Sequence, residues 1–125
     1  MQTTLKQFRE VAVLSLSGQL DDRSAELFLA QIEELVGQGL VRVVVNLVGV
    51  DFVSASGVRG LLTALRKVRH HGGDLKLVDV PRQASRLLTI IGALTVLELY
   101  PDVFAAVASF QPEYGPESLL CPASA

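Results

Sequence analysis

Cysteine is almost missing from this chain of 125 residues: Cys121 stands alone, so no internal disulfide can form. Histidine is nearly as scarce. His70 and His71 fall at the carboxyl end of a helical stretch, where imidazole suits the helix dipole, and no cysteine or acidic cluster lies near them, so no metal site is expected. No apolar run approaches the roughly 18 residues that would span a bilayer, which excludes membrane insertion. The opening MQTTLKQFRE lacks the basic-then-apolar pattern of a secretory signal, and a cytoplasmic setting is expected. Eleven lysines and arginines against 13 acids leave a net charge of −2. The basic residues are dispersed except for Arg66, Lys67 and Arg69, so no stripe matches a phosphate backbone and direct nucleic-acid binding is not expected. Neither GxxxxGK[ST] nor GxGxxG occurs, so no cofactor is expected, and no GxSxG elbow marks a hydrolase.

Half of the residues are hydrophobic and 19% are charged, enough for one domain with a single core. Residues 3–8 and 11–17 read as two strands joined at Arg9-Glu10. Gly18-Gln19-Leu20-Asp21 leads into a helix over about 22–37, with Ala25, Phe28, Leu29, Ile32, Leu35 and Val36 along one face. The pattern repeats with a strand at 41–48 and a helix at about 56–71, then a strand at 75–80 and a helix that Pro81 opens at its first position, its Leu87, Leu88 and Ile91 facing the core. A short strand at 95–99 precedes a helix in which Val103, Phe104 and Val107 pack. This alternation predicts an α/β domain over residues 1–110. Its sheet is mostly parallel, with an antiparallel amino-terminal edge strand, and packs against about four helices. Residues 111–125, broken by Pro112, Gly115, Pro116 and Pro122, are expected to form a flexible tail.

The segment richest in chemistry is 51–60, DFVSASGVRG, between a strand and a helix. Ser54 suits a helix N-cap, its oxygen accepting from an N–H two or three residues on. Ser56 then falls at the second helical position with its hydroxyl uncommitted, open either to simple solvation or to a binding or covalent role. With Val58 at 0° on a helical projection, the core-facing leucines cluster near about 340°, while Ser56, Gly60, Thr63 and Lys67 lie on the opposite side as an expected exposed row. Gly60 costs roughly 1 kcal/mol relative to alanine in a helix, so it is either a tolerated weak spot, a residue packed beneath a neighbouring loop, or a place where a partner approaches closely. Asp21 and Asp22 are candidate caps of the first helix. A hydrolytic role for Ser56 would need a base in reach, and the histidines lie roughly four turns away along the helix.

These segments resemble the STAS domain of anti-sigma factor antagonists. The similarity is carried by VAVLSLSGQLDDRSAELF, VRVVVNLVGVDFVSASGVRGLL, GGDLKLVDVPRQASRLL and ALTVLELYPDVFAAV, nearly all of residues 5–110. Most specific is the corner Asp51-Phe52-Val53-Ser54-Ala55-Ser56-Gly57, where the family commonly has Asp-Ser-Ser-Gly or Asp-Ser-Thr-Gly before the helix. Here the acidic residue and the first hydroxyl are replaced by Ser54 and Ala55. The resemblance implies a STAS-type fold without catalytic activity. It makes Ser56 the acceptor of phosphate from an ATP-binding serine kinase that doubles as an anti-sigma factor, with a PP2C-type phosphatase reversing the modification. It also implies a partner surface of Asp21, Asp22, Ser54, Ala55, Ser56, Gly57, Arg59, Gly60, Thr63 and Lys67. A second reading is a phosphorylation-independent STAS subunit of a membrane transport complex, such as a lipid ABC transporter, or of a signalling complex.

Overall fold

A computed structural model describes residues 1–110; the expected tail at 111–125 lies outside the described residues. Five strands form one sheet in the order β1 (Gln2–Phe8), β2 (Val11–Leu20), β3 (Arg42–Val53), β4 (Asp74–Val78) and β5 (Glu98–Tyr100). β1 pairs antiparallel to β2 from Phe8 opposite Val11 to Gln2 opposite Ser17, and every other pairing is parallel. Between the strands run α1 (Asp22–Gly37), α2 (Ala55–His70) and α3 (Arg82–Ile91), and α4 (Val103–Phe110) follows β5. The expected α/β architecture with its antiparallel edge is what forms.

Alternation along the strands divides the interior in two. Ala12, Leu14, Leu16, Val43, Val45, Leu47, Leu75 and Leu77 point to the face covered by α1, α2 and α3, where Phe28, Ile32, Leu61, Leu65 and Leu88 close the main core. Val11, Val13, Val44 and Val78 point to the other face, beneath Ala106, Val107 and Phe110 of α4. On that second face the buried Lys76 donates to the Ser109 hydroxyl at 2.7 Å and lies 4.5 Å from the Phe110 ring centroid. Its charge is therefore balanced by a hydroxyl and aromatic faces, with Glu98 at 3.9 Å.

Several boundaries differ from expectation. β3 runs five residues past Val48 to Val53, because β2 also continues, and after two register shifts Gln19 pairs with Phe52 and Leu20 with Val53. Long-range pairing, invisible to local periodicity, makes strand of what reads as loop. Pro81 stands one place earlier than expected, at the N-cap of α3, and Ile91 is exposed while Ala84 and Leu88 are buried. Residues 93–95 form a 3₁₀ turn, so β5 starts later than the apolar run suggests. Phe104 is 84% exposed: the buried stripe of α4 is Ala106, Val107 and Phe110 with Val103 partly buried against it, and Phe104 lies about 100° around the helix from Val103.

Candidate functional site

Two strand-to-helix corners lie side by side at the carboxyl ends of β2 and β3. At the first, Asp21 is the N-cap of α1. Its Oδ1 accepts from the Ser24 N–H at 3.1 Å, and its own N–H donates to Ser24 Oγ at 2.8 Å, a reciprocal capping box. Ser24 is buried and its hydroxyl donates to the Gln19 carbonyl at 2.6 Å, so the box is tied back to β2. The Ser24 N–H, and next its hydroxyl, hold the Asp21 carboxyl below its ordinary value. Asp22 is exposed in the first turn, where a negative charge suits the helix dipole.

At the second corner Ser54 is the N-cap of α2, as the sequence predicts, and its Oγ accepts from the Gly57 N–H at 3.1 Å. The Ser54 N–H donates to the Leu20 carbonyl at 2.9 Å, which fastens this corner directly to the end of β2 and brings it beside Asp21 and Asp22. Gly57 makes that fastening possible: a Cβ at this position would run into the Leu20 carbonyl. Ala55 and Arg59 are exposed, and the Arg59 side chain makes no hydrogen bond or ion pair among the described residues. Ser56, at N2, is partly buried, and its hydroxyl makes no hydrogen bond among the described residues. A chemically free hydroxyl thus stands at a helix amino terminus, where N–H groups favour an added negative charge.

The expected exposed row along α2 is corrected by the packing. Gly60 is buried, and a Cβ there would stand 3.0 Å from Cβ of Ala25 on α1. Thr63 is partly buried and donates its hydroxyl to the Arg59 carbonyl at 2.9 Å, while Lys67 bonds Glu33 of α1. A projection with one buried stripe assumes one neighbour; α2 packs on the sheet and against α1 at once. Gly60 does pack closely inside the chain, but against helix α1 rather than beneath the neighbouring loop expected. The row is therefore largely the seam between two helices, and the surface that remains open comprises Asp22, Ala55, Ser56 and Arg59.

Gln83, on α3, is a contact that the sequence reading missed. Its side-chain amide accepts from the Val53 N–H at 3.0 Å and donates to the Val53 carbonyl at 2.8 Å, on the residue that precedes the Ser54 cap. No local signal marks it, because the bond joins residues 30 apart.

A parallel sheet flanked by helices, its antiparallel edge strand and its serine-glycine corner coincide with one family, since residues 2–106 match the STAS domain. The chain belongs to the STAS domain family. An anti-sigma F factor antagonist of Paenibacillus polymyxa is 23% identical to it over 112 residues, covering 89% of this chain and 96% of that protein. The crystal structure of an anti-sigma factor antagonist from Mycobacterium paratuberculosis superposes with a TM-score of 0.77 at 23% identity, over 86% of this chain and 92% of the other. SpoIIAA, the Bacillus cell fate determinant, in its phosphorylated form superposes with a TM-score of 0.69 at 21% identity, over 88% of this STAS chain and 100% of SpoIIAA. At these identities the structural likeness speaks for the fold. Among the described residues no STAS helix is long and apolar enough to cross a membrane, and no group of three or more metal-ligating side chains occurs.

Proposed function

We propose that this STAS protein is a cytoplasmic anti-sigma factor antagonist without catalytic activity of its own. In this reading it binds an anti-sigma factor of the ATP-binding serine kinase type while Ser56 is unmodified. It is released when that kinase phosphorylates Ser56, and a PP2C-type phosphatase restores the binding form. Transcription is then controlled indirectly, through the sigma factor that the partner holds. The observation that carries the reading is the division of labour between the two serines: Ser54 caps α2, and the Ser56 hydroxyl beside it has no partner among the described residues.

Electrostatics supports the direction of the switch. A phosphoserine adds about −1.5 to −2 charges, which a helix amino terminus tolerates, so the domain stays folded. Inside an interface built around a neutral hydroxyl, the same group requires desolvation and repels facing carboxylates. Turning a mostly bound complex into a mostly free one takes about 5.5 kcal/mol, within reach of a buried double charge but not of one screened by water and salt. The modified residue must therefore sit within the contact, and Asp22, Ala55 and Arg59 form its surroundings.

The test is to incubate the chain with ATP and each anti-sigma-type serine kinase of its host, map phosphate by mass spectrometry, and compare capture of the kinase by wild type, Ser56→Ala and Ser56→Glu. Phosphate on Ser56, retained capture by Ser56→Ala and lost capture by Ser56→Glu are expected. Phosphate on another residue, or equal capture by all three, overturns the switch. Stable copurification with a transporter subunit, indifferent to ATP and to Ser56→Ala, would instead establish the phosphorylation-independent role.

A further inference from the structure

On its β4 side, the edge of β3 has no strand beside it past Asn46, because β4 ends at Val78 opposite that residue. Val53 lies well beyond this point. It is buried, so its backbone groups on that side need partners from elsewhere. Gln83 supplies both at once, accepting from the Val53 N–H at 3.0 Å and donating to its carbonyl at 2.8 Å. A primary amide presents a donor and an acceptor much as a peptide group does, so the side chain acts as a single rung of an absent strand. Gln83 occupies the first turn of α3, whose Ala84 and Leu88 are anchored in the main core. From Val53 the chain passes directly to the Ser54 cap and then to Ser56. The clamp therefore ties the origin of α2 to α3.

We infer that Gln83 is a positioning residue for the serine corner: by holding Val53 it fixes the backbone from which Ser54 caps α2 and Ser56 is presented. The bearing on phosphate transfer rests on the proposed role of Ser56; the clamp itself is a property of the chain alone. The two are tested separately. Amide hydrogen exchange is followed by NMR on the full chain for wild type, for Gln83→Met, which keeps length and apolar contact but neither hydrogen bond, and for Arg82→Ala, an exposed neighbour on the same helix.

In Gln83→Met the Val53 amide is expected to exchange about tenfold faster, with Ser54 and Gly57 following, while Val45, Leu77 and the Arg82→Ala protein stay as in wild type. Wild-type exchange at Val53 in Gln83→Met, or uniform acceleration across the sheet, overturns the inference. In the kinase assay, kcat for Ser56 is expected to fall about tenfold in Gln83→Met with KM little changed, the sign of a misplaced acceptor rather than a weakened complex. Faster local exchange with unchanged kcat overturns the link to Ser56. If wild type takes no phosphate, the proposed function falls, and exchange still decides the clamp.

Discussion

The corners that open α1 and α2 solve one problem in two ways, and the difference explains why only one leaves a hydroxyl to spare. Each must satisfy the N–H of its cap residue and the first N–H groups of its helix. The α1 corner does so with side chains: Asp21 and Ser24 bond each other reciprocally, and Ser24 is buried in the process. The α2 corner has glycine at the place equivalent to Ser24. Its cap Ser54 sends its N–H to the Leu20 carbonyl instead, which can approach only because Gly57 carries no Cβ. Backbone does there what a side chain does at α1, and Ser56 is left out of the bonding.

The strongest way to break this comparison is Gly57→Ala. Helix propensity alone favours alanine by about 1 kcal/mol, yet the new methyl runs into the Leu20 backbone, which cannot rotate away. We expect a net destabilisation of about 3 kcal/mol, at the upper end of overpacking costs, read as a lowered urea midpoint. A neutral or stabilising result would mean that the two strand ends are not fastened as described.

Ser24→Ala comes next. It removes the acceptor of the Asp21 N–H and the donor to the Gln19 carbonyl, both inside the structure. A loss of about 2 kcal/mol is expected in the same denaturation experiment. Ser56→Ala, also a serine in a first helical turn, is expected to change stability by no more than about 0.5 kcal/mol. Equal costs at the two serines would erase the distinction on which the free hydroxyl of Ser56 rests. Ser54→Ala should fall between them, at about 1 kcal/mol, since it removes the cap oxygen but leaves the bond to Leu20 in place.

What the sequence disclosed of these corners follows from the range of the forces involved. Caps act over three residues, so Asp21 and Ser54 are readable from the chain, as is the core-facing stripe of α2 that begins at Val58. The order of strands and helices is readable for the same reason. The extension of β3 to Val53 depends on Leu20, the clamp on Val53 depends on Gln83, and the burial of Gly60 depends on Ala25. Each is a contact between distant segments that leaves no periodic trace. Gly60 is the most instructive, because a glycine retained within a helix correctly signals close approach but does not say whose. The structure answers that it is the protein's own first helix.

The smallest expected effect separates the corners by charge. Only the α1 corner is capped by a carboxylate, and Ser24, through its N–H and then its hydroxyl, holds Asp21 below its ordinary value of 3.8. With the folded pKa depressed, the unfolded chain binds the proton more tightly as acid is added. The contribution of this cap is therefore complete above the ordinary aspartate value and is lost as pH falls through the folded one. Asp21→Asn retains a capping oxygen that does not titrate, so from about pH 6 to about pH 3 its stability should decline less than that of wild type. Ser54→Asn should leave the acid dependence of wild type unchanged, because the α2 cap has no proton to gain. If Asp21→Asn declines as steeply as wild type, the carboxylate is not held by Ser24, and the α1 corner would depend on side-chain bonding no more than its neighbour does.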